Sequence, residues 1–272
     1  MLLVKFLLYI IDMPIPRQEV EFNRYYWNLL KTFSYYWFKL SDQRMLLGFL
    51  WSFLNPLITA LILYLIFKKS FGSQNYSYFL YILIGSVSWN FLSSSVQSAL
   101  PVLINRGGMI KNVPFPKEIL ISAKIGVFLL RHALEIILIV ILVALTQNLS
   151  WHMVFLPLIF LLEAAVALAI SLILALANVY MRDIEYIWAV LVRVGFFLVP
   201  IFYRLEDLPR NFRHIVYLNP FTQILIFYRD VLVGHHAPNP VNLISVIAFS
   251  TVFLAISLLI FRNFEHNMAE RV

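Results

Sequence analysis

The sequence predicts an all-α membrane protein with six transmembrane helices, and its composition, its apolar stretches and its charge distribution support this fold class. Of the 272 residues, 61% are hydrophobic and only 13% are charged, and the mean hydropathy is +0.82. A soluble domain of this length would need more charge on its surface. The alternation typical of a membrane barrel is absent, so the spanning segments are expected to be helices, which satisfy their own backbone polar groups in lipid.

Six apolar stretches are long enough to cross a bilayer. Each has about twenty residues, which at about 1.5 Å per residue suits a hydrocarbon core about 30 Å thick. The predicted spans are 47–67, 78–98, 121–145, 153–177, 186–203 and 241–261. No repeat or low-complexity linker divides them, so we predict one transmembrane domain over 1–272. Within it, 1–46 is cytoplasmic or interfacial, 47–261 is the membrane domain and 262–272 is a cytoplasmic tail.

The distribution of Lys and Arg predicts that both termini are cytoplasmic. With that orientation, 13 of the 21 basic residues lie on the inside and 6 on the outside, because cytoplasmic loops are enriched in Lys and Arg. The net charge of +7 then reflects contact with anionic lipid, and no nucleic-acid partner is expected. Leu2–Ile11 is too short to span and is not followed by a cleavage site, so we expect an interfacial segment there.

Two non-spanning regions have unusual compositions. Residues 24–40 combine Tyr, Trp and Phe with Lys31 and Lys39, which predicts an amphipathic helix in the headgroup plane; an ordinary juxtamembrane aromatic belt is the alternative. Residues 204–240, placed outside, have apolar patches too short to span and too frequent for a solvated loop. Re-entrant or surface-lying helices fit them better.

The sequence contains no recognised catalytic or nucleotide-binding motif. None of the eight glycines is followed by Lys, so the phosphate-binding G-x-x-x-x-G-K-[ST] loop is absent. There is no H-E-x-x-H and no G-x-S-x-G, and without cysteine there is neither a disulfide nor a thiolate site. The adjacent His235 and His236 are a weak metal pattern. We therefore expect no catalytic residue, no metal and no cofactor on this chain.

Four charged residues lie well inside predicted spans, away from the span ends: Arg131, Glu135, Glu163 and Arg193. Such charges are costly in lipid and normally face the bundle interior or a water-filled path. Arg131 and Glu135 are four residues apart on one helical face, where they can pair. This spacing favours interhelical or intrahelical charge pairs over a proton relay, but the relay, which would indicate a secondary transporter, stays open.

The second span ends in a run of aromatic, amide and hydroxyl side chains that includes Trp89, Phe91 and Ser94. Small hydroxyl residues permit close helix packing and interhelical hydrogen bonds. The same residues would also suit a polar path, because aromatic faces stack on sugar rings while hydroxyls bond to them loosely. Packing and a path both remain open at this point.

Five stretches, in order along the chain, resemble one family. They are LGFLWSFLNPL at 47–57, Gly85 with Trp89-Asn90-Phe91, IKNVPFPKEI at 110–119, the group Arg182-Asp183-Ile184, Pro200-Ile201-Phe202-Tyr203, Leu208-Pro209, Asn219-Pro220 and Tyr228-Arg229, and finally Phe264-Glu265 with Met268-Ala269-Glu270. Together they resemble the permease subunits of ABC-2 type exporters for O-antigen, capsule and teichoic acid. The basic stretch before the first motif keeps only Arg44, and the first twenty residues have no counterpart.

This resemblance implies a transport subunit rather than an enzyme. The chain would form a homodimer with two copies of a cytoplasmic ATP-binding subunit, which would hold ATP and Mg²⁺. The complex would move a polyprenyl-diphosphate-linked, O-antigen-like polysaccharide across the bacterial inner membrane. The alternatives are an ABC-2 permease for lipids or drugs, a proton-coupled secondary flippase using Glu163 or Glu135, and an intramembrane transferase acting on the same carrier.

The resemblance also suggests roles for particular residues. The cytoplasmic loop 101–120 would contain a coupling helix docked on the ATPase, and 204–240 would form outer gate helices. The coupling candidates are Met109, Ile110, Lys111, Val113, Pro114, Phe115, Pro116, Lys117 and Glu118. The candidates for the substrate channel are Trp89, Phe91, Ser94, Phe202 and Tyr203. The candidates for the lipid diphosphate are Arg24, Lys31, Lys39 and Arg44.

Overall fold

The described part of the chain is helical, which confirms the all-α prediction. The computed structural model describes residues 19–42, 50–67, 76–113, 115–146 and 149–268, and none of these is in a strand. The α-helices are α1 (Glu19–Asp42), α2 (Leu50–Phe67), α3 (Tyr76–Ala99), α4 (Val102–Asn105), α5 (Gly107–Asn112), α6 (Glu118–Thr146), α7 (Leu156–Tyr180), α8 (Ile184–Leu198), α9 (Arg210–Leu218), α10 (Pro220–Leu232) and α11 (Pro240–Met268). Short 3-10 turns cover Trp151–Phe155 and Leu205–Asp207.

Four of the six predicted spans are long and apolar enough to cross a membrane. These are Ser77–Ala99, Glu118–Thr146, Trp151–Tyr180 and Pro240–Glu265. The first predicted span corresponds to α2, whose described part has 18 residues, and the fifth corresponds to α8, which has 15. Fifteen residues extend only about 22 Å. The prediction of six spans is thus confirmed for four of them.

The fifth predicted span ends earlier than expected, because its helix stops at Leu198 and not at residue 203. Val199 is already extended, with φ −89° and ψ 139°. Pro200 explains the stop, since proline has no N–H to donate and pushes the residue before it out of the helical region. Residues 199–203 consequently form a non-helical segment that follows α8.

Helix α7 lies at the centre of the bundle and contacts α3, α6, α8, α10 and α11. Small side chains make this possible, because Ala167, Ala169 and Ala175 are fully buried and let neighbouring backbones approach closely. The same helix buries Glu163 and Asn178. The central helix therefore carries polar groups that need partners from its neighbours.

Helix α1 covers the region predicted as an interfacial helix and packs against α6. Trp37 is buried, and Ser34 donates a hydrogen bond of 3.3 Å to the carbonyl oxygen of Ala123. Burial raises the pKa of Tyr26 to about 12, with the Glu118 carboxylate adding to the shift, so its hydroxyl stays neutral. Tyr35, at 68% exposure, is one of several aromatic side chains left on the outer face of this helix. A buried edge and an exposed aromatic face are what an amphipathic surface helix requires.

The region 204–240 forms two helices of opposite character. No residue of α9 is buried, whereas most of α10 is buried against α3, α7 and α11. Asn219 separates the two helices, and its side chain accepts a hydrogen bond of 3.0 Å from the N–H of Phe221 at the start of α10. This capping contact fixes where α10 begins.

Candidate functional site

A buried polar cluster lies around Glu163 in the middle of α7. The His132 Nε2 atom lies 2.9 Å from Glu163 Oε2, and the Tyr228 hydroxyl donates to the same oxygen at 2.9 Å. Ser88 donates to the other carboxylate oxygen, and His132 Nδ1 lies 3.4 Å from Glu135 Oε2. The cluster joins α3, α6, α7 and α10. A carboxylate with several donors is the arrangement in which a buried charge is tolerated.

The His132 imidazole is enclosed by two aromatic rings. Its centroid lies 4.5 Å from that of Phe91 and 5.5 Å from that of Phe160, and both rings are nearly parallel to it. Phe91 is only 2% exposed. The structure thus places Phe91, predicted as a channel-lining residue, in the core beside the cluster.

The four intramembrane charges lie in different surroundings. Glu135 and Glu163 are brought together by His132, a residue that the sequence analysis overlooked. An ionisable histidine next to Arg131 within an apolar span could have indicated a buried polar site there. Arg131 lies over the Phe128 ring, with Cζ 5.8 Å from the centroid, while the exposed Arg193 faces a separate cavity.

This second site is a cavity of about 250 Å³ between α2, α3 and α8. Six of its ten lining residues are polar or charged, although it lies along predicted spans. It is lined by Asn55, Pro56, Thr59, Ser86, Trp89, Asn90, Ser93, Val192, Arg193 and Phe196. The predicted channel residue Trp89 belongs to this cavity. Ser94 does not line it, but donates a hydrogen bond of 3.3 Å to Asn90 Oδ1 beside it.

Gly195 allows Trp89 to sit against α8. A Cβ atom added to Gly195 would lie 2.6 Å from Trp89 Cη2, which is closer than real side chains approach. The other side of the indole packs edge-on against Phe221, with 5.5 Å between centroids. The absence of a side chain at residue 195 therefore fixes the position of one cavity wall.

A third polar site holds the non-helical segment after α8. The Arg229 guanidinium on α10 donates to the carbonyl oxygens of Pro200 at 2.7 Å, Ile201 at 3.0 Å and Tyr81 at 3.1 Å. It is 6% exposed. A Cβ atom at Gly85 would lie 2.7 Å from Arg229 Nη2, so the glycine makes room for this arginine. Arg229 lies in the segment 204–240 that was predicted to be outside, and its role in holding residues 200 and 201 was not predicted.

Two tyrosines of α3 also hold the non-helical segment after α8 through hydrogen bonds. The Tyr78 hydroxyl donates to the carbonyl oxygen of Phe202 at 2.7 Å, and the Tyr81 hydroxyl donates to that of Tyr203 at 3.0 Å. The Phe202 ring stacks on Phe67 of α2, with 5.1 Å between centroids. Phe202 and Tyr203, both predicted channel residues, are half-buried here and do not line the cavity around Trp89.

The predicted coupling segment is only partly available to a partner. Ile110, Phe115 and Glu118 are buried in this chain, with exposures of 4%, 8% and 2%. Lys111 and Val113 are exposed, the latter at 45%. Helix α5 ends at Asn112, and the coupling candidate Pro114 lies outside the described residues. The remaining candidates, Met109 and Pro116, are half-buried.

Two ion pairs attach the coupling segment to the last helix. Arg262 Nη2 lies 2.9 Å from Glu118 Oε1, and Lys117 Nζ lies 3.4 Å from Glu265 Oε1. Lys117 and Glu118 were predicted to contact a partner. They are used within the subunit, where they join the start of α6 to α11.

Aromatic contacts join the same segment to α1. The Phe33 ring lies 6.2 Å from that of Phe115, and Arg106 Cζ lies 6.0 Å from the Tyr36 centroid. A displacement of the segment would thus be felt by α1 as well as by α6 and α11. Of the basic residues predicted to attract a diphosphate, Lys31 is exposed on α1. The side chains of Arg24, Lys39 and Arg44 lie outside the described part of the chain.

Comparisons with known proteins agree with the sequence pattern. The family model described as ABC-2 type transporter matches residues 29–233. A protein of Myxococcus xanthus named O-antigen export system permease protein RfbA is 28% identical over 229 residues, which cover 83% of this chain and 88% of that protein. Two Klebsiella pneumoniae proteins of the same name are 27% and 25% identical over 236 residues, which cover 85% of this chain and 90% of theirs.

Proposed function

Because the chain belongs to the ABC-2 type transporter family, we propose that it is the permease subunit of an exporter of cell-surface polysaccharide. The observation that carries this proposal is the similarity to three proteins named as O-antigen export permeases, which extends over at least 83% of the chain. The cavity between α2, α3 and α8 supports it, since it brings Arg193 and several amide and hydroxyl side chains together within an apolar bundle, where a hydrophilic substrate could bind. The substrate would be an O-antigen-like polymer on a polyprenyl diphosphate.

The energy would come from ATP and Mg²⁺ bound on two copies of a separate cytoplasmic subunit. This chain lacks a phosphate-binding loop, which supports a division of labour between subunits. The exposed side chains of Lys111 and Val113 are the residues offered to that partner. The ion pairs of Lys117 with Glu265 and of Glu118 with Arg262 would then transmit a push on α5 to α6 and α11.

The transport complex would contain two copies of this chain in the bacterial inner membrane, with both termini cytoplasmic. In this arrangement α2 and α8 complete a set of six spans. Helices α9 and α10 would form the outer gate, and α1 would lie in the inner headgroup layer, where Lys31 attracts the carrier diphosphate. The attachment of residues 200–203 by Arg229, Tyr78 and Tyr81 supports a gate held in a defined position.

Export can be tested in the source bacterium by deleting the gene and following the lipid-linked polymer. We expect loss of surface polysaccharide and accumulation of polymer on the cytoplasmic side of the inner membrane. Wild-type complementation should restore export, and it should fail when the Walker A lysine of the partner subunit is replaced by alanine. Normal surface polysaccharide in the deletion strain would contradict the proposal.

A further inference from the structure

The cavity between α2, α3 and α8 has the side chains of a ligand site. One cation, Arg193, lies next to the amides of Asn55 and Asn90 and the indole of Trp89. Most small-molecule sites are concave, with an aromatic wall and a few polar groups that converge. A volume of about 250 Å³ is just below the range of about 300–1,000 Å³ of such sites. The cavity therefore suits one sugar unit or one phosphate group at a time.

Arg193 is not neutralised within the described part of the chain. No Asp or Glu carboxylate in those residues lies within ion-pair distance of its guanidinium. It lies on the tenth of the fifteen residues of α8, well inside the helix. A cation within a membrane-spanning helix, which the proposed function makes of α8, is costly unless it faces water or an anion. Because Arg193 lines the cavity, its guanidinium faces water there, and an anion that enters the cavity can bind to it.

Ser86 gives a second, independent indication of a ligand. Its side chain lines the same cavity, is 4% exposed, and its Oγ has no hydrogen-bond partner among the described residues. Buried hydroxyls are normally satisfied, because an unpaired one costs free energy. The Oγ atom is covered as the side chain now lies, and a rotation of the side chain toward the cavity would let a ligand oxygen satisfy it.

From these observations we propose that the cavity is a transient binding site for an anionic oxygen group, a phosphate or a carboxylate, that is carried beside a sugar ring. Arg193 binds the anion, Trp89 stacks on the sugar, and Asn55, Asn90 and Ser86 bond to its oxygens. The inference rests on the proposed function and adds that the transported unit carries a negative charge. The anion has two possible sources, namely the diphosphate of the lipid carrier and an acidic sugar of the polymer.

Binding to the full-length chain in lipid nanodiscs tests the site without requiring transport. The probes are farnesyl diphosphate, a glucuronic acid tetrasaccharide and a neutral glucose tetrasaccharide, each titrated by calorimetry with empty nanodiscs as blank. The variants are Arg193→Gln, Arg193→Lys and the matched control Arg210→Gln, which removes an exposed cation on α9. A second control, Lys31→Gln, identifies diphosphate bound at α1. Unchanged thermal unfolding shows that each variant is folded.

We expect Arg193→Gln to weaken an anionic probe by about tenfold, the effect of losing one charge-assisted hydrogen bond. Arg193→Lys should weaken it less, while Arg210→Gln should bind as the wild type. Loss confined to farnesyl diphosphate assigns the anion to the carrier, and loss confined to the glucuronide assigns it to the polymer. Equal affinity of the wild type for charged and neutral probes, or unchanged binding by Arg193→Gln, would overturn the inference. The proposed export function would not be affected by that result, because it is tested separately by measuring surface polysaccharide in the deletion strain.

Discussion

The Cζ atom of Arg229 lies 3.4 Å from the centroid of the Tyr81 ring, and the same guanidinium donates to the carbonyl oxygen of Tyr81. Cation–π attraction and hydrogen bonding therefore act on one pair of residues. Because Arg229 also bonds to Pro200 and Ile201, this pair joins α10 and α3 to the segment after α8. The position of residues 199–203 depends on this junction.

Replacing Arg229 by Gln should lower the free energy of unfolding by about 3 kcal/mol, because buried carbonyl oxygens lose a charged donor. Thermal unfolding of the purified chain in detergent measures the loss. Arg210→Gln, at an exposed arginine of α9, is the matched control and should unfold as the wild type. An equal midpoint for Arg229→Gln would show that the segment 199–203 is held by other contacts.

A side chain at residue 195 should displace the indole of Trp89. We expect Gly195→Val to cost about 2 kcal/mol from overpacking and to reduce polymer export by changing the cavity wall. Gly108→Ala is the control, since a Cβ there meets no atom within 4 Å and glycine is the poorer helix former. That control should be neutral or slightly stabilising. Full export by Gly195→Val would show that the cavity is not part of the transport path.

We expect the polar cluster around Glu163 to stabilise the fold by joining four helices, and not to carry protons during transport. Glu163→Gln removes the carboxylate that accepts from Tyr228 and faces His132, and should lower the free energy of unfolding by about 3 kcal/mol. Export from membrane vesicles supplied with ATP should be insensitive to an uncoupler in both wild type and variant. If an uncoupler stops wild-type export at constant ATP, the proton-coupled alternative is the better description.

Exposed and buried residues of the coupling segment should behave differently. Lys111→Glu reverses an exposed charge and should abolish copurification with the ATP-binding subunit while leaving unfolding unchanged. Phe115→Ala should instead destabilise the chain by about 3 kcal/mol, since a buried ring is lost. Arg210→Glu is the charge-reversal control on another helix. Retained copurification by Lys111→Glu would exclude α5 as the docking surface.

The two ion pairs at the start of α6 should differ in strength. Arg262→Ala leaves Glu118, which is 2% exposed, without its cation and should cost about 3 kcal/mol. Adding Glu118→Gln should recover part of this loss. The half-buried pair of Lys117 and Glu265 should contribute less, about 1 kcal/mol. Double-mutant cycles on unfolding measure both pairs, and equal coupling energies would contradict the assignment.

A residue type in its local pattern could nominate a candidate site residue, but only the structure shows which of the nominated side chains are buried. Trp89 was predicted from its polar neighbours and lines the cavity. Phe91, two residues along the same helix, points into the core, and this difference depends on the rotation of α3 about its axis. Glu118 carries a charge typical of a surface, but Arg262, 144 residues away, makes its burial possible.

The sequence by itself determined the membrane class, the helices and the family, because apolar stretches of about twenty residues and short motifs are local properties of the chain. Only the tertiary structure decided which polar groups meet. His132 with Glu163, Tyr228 with Glu163 and Arg229 with Tyr81 are 31, 65 and 148 residues apart. Such contacts depend on how each helix is rotated and where proline ends it, and neither is encoded in a local pattern.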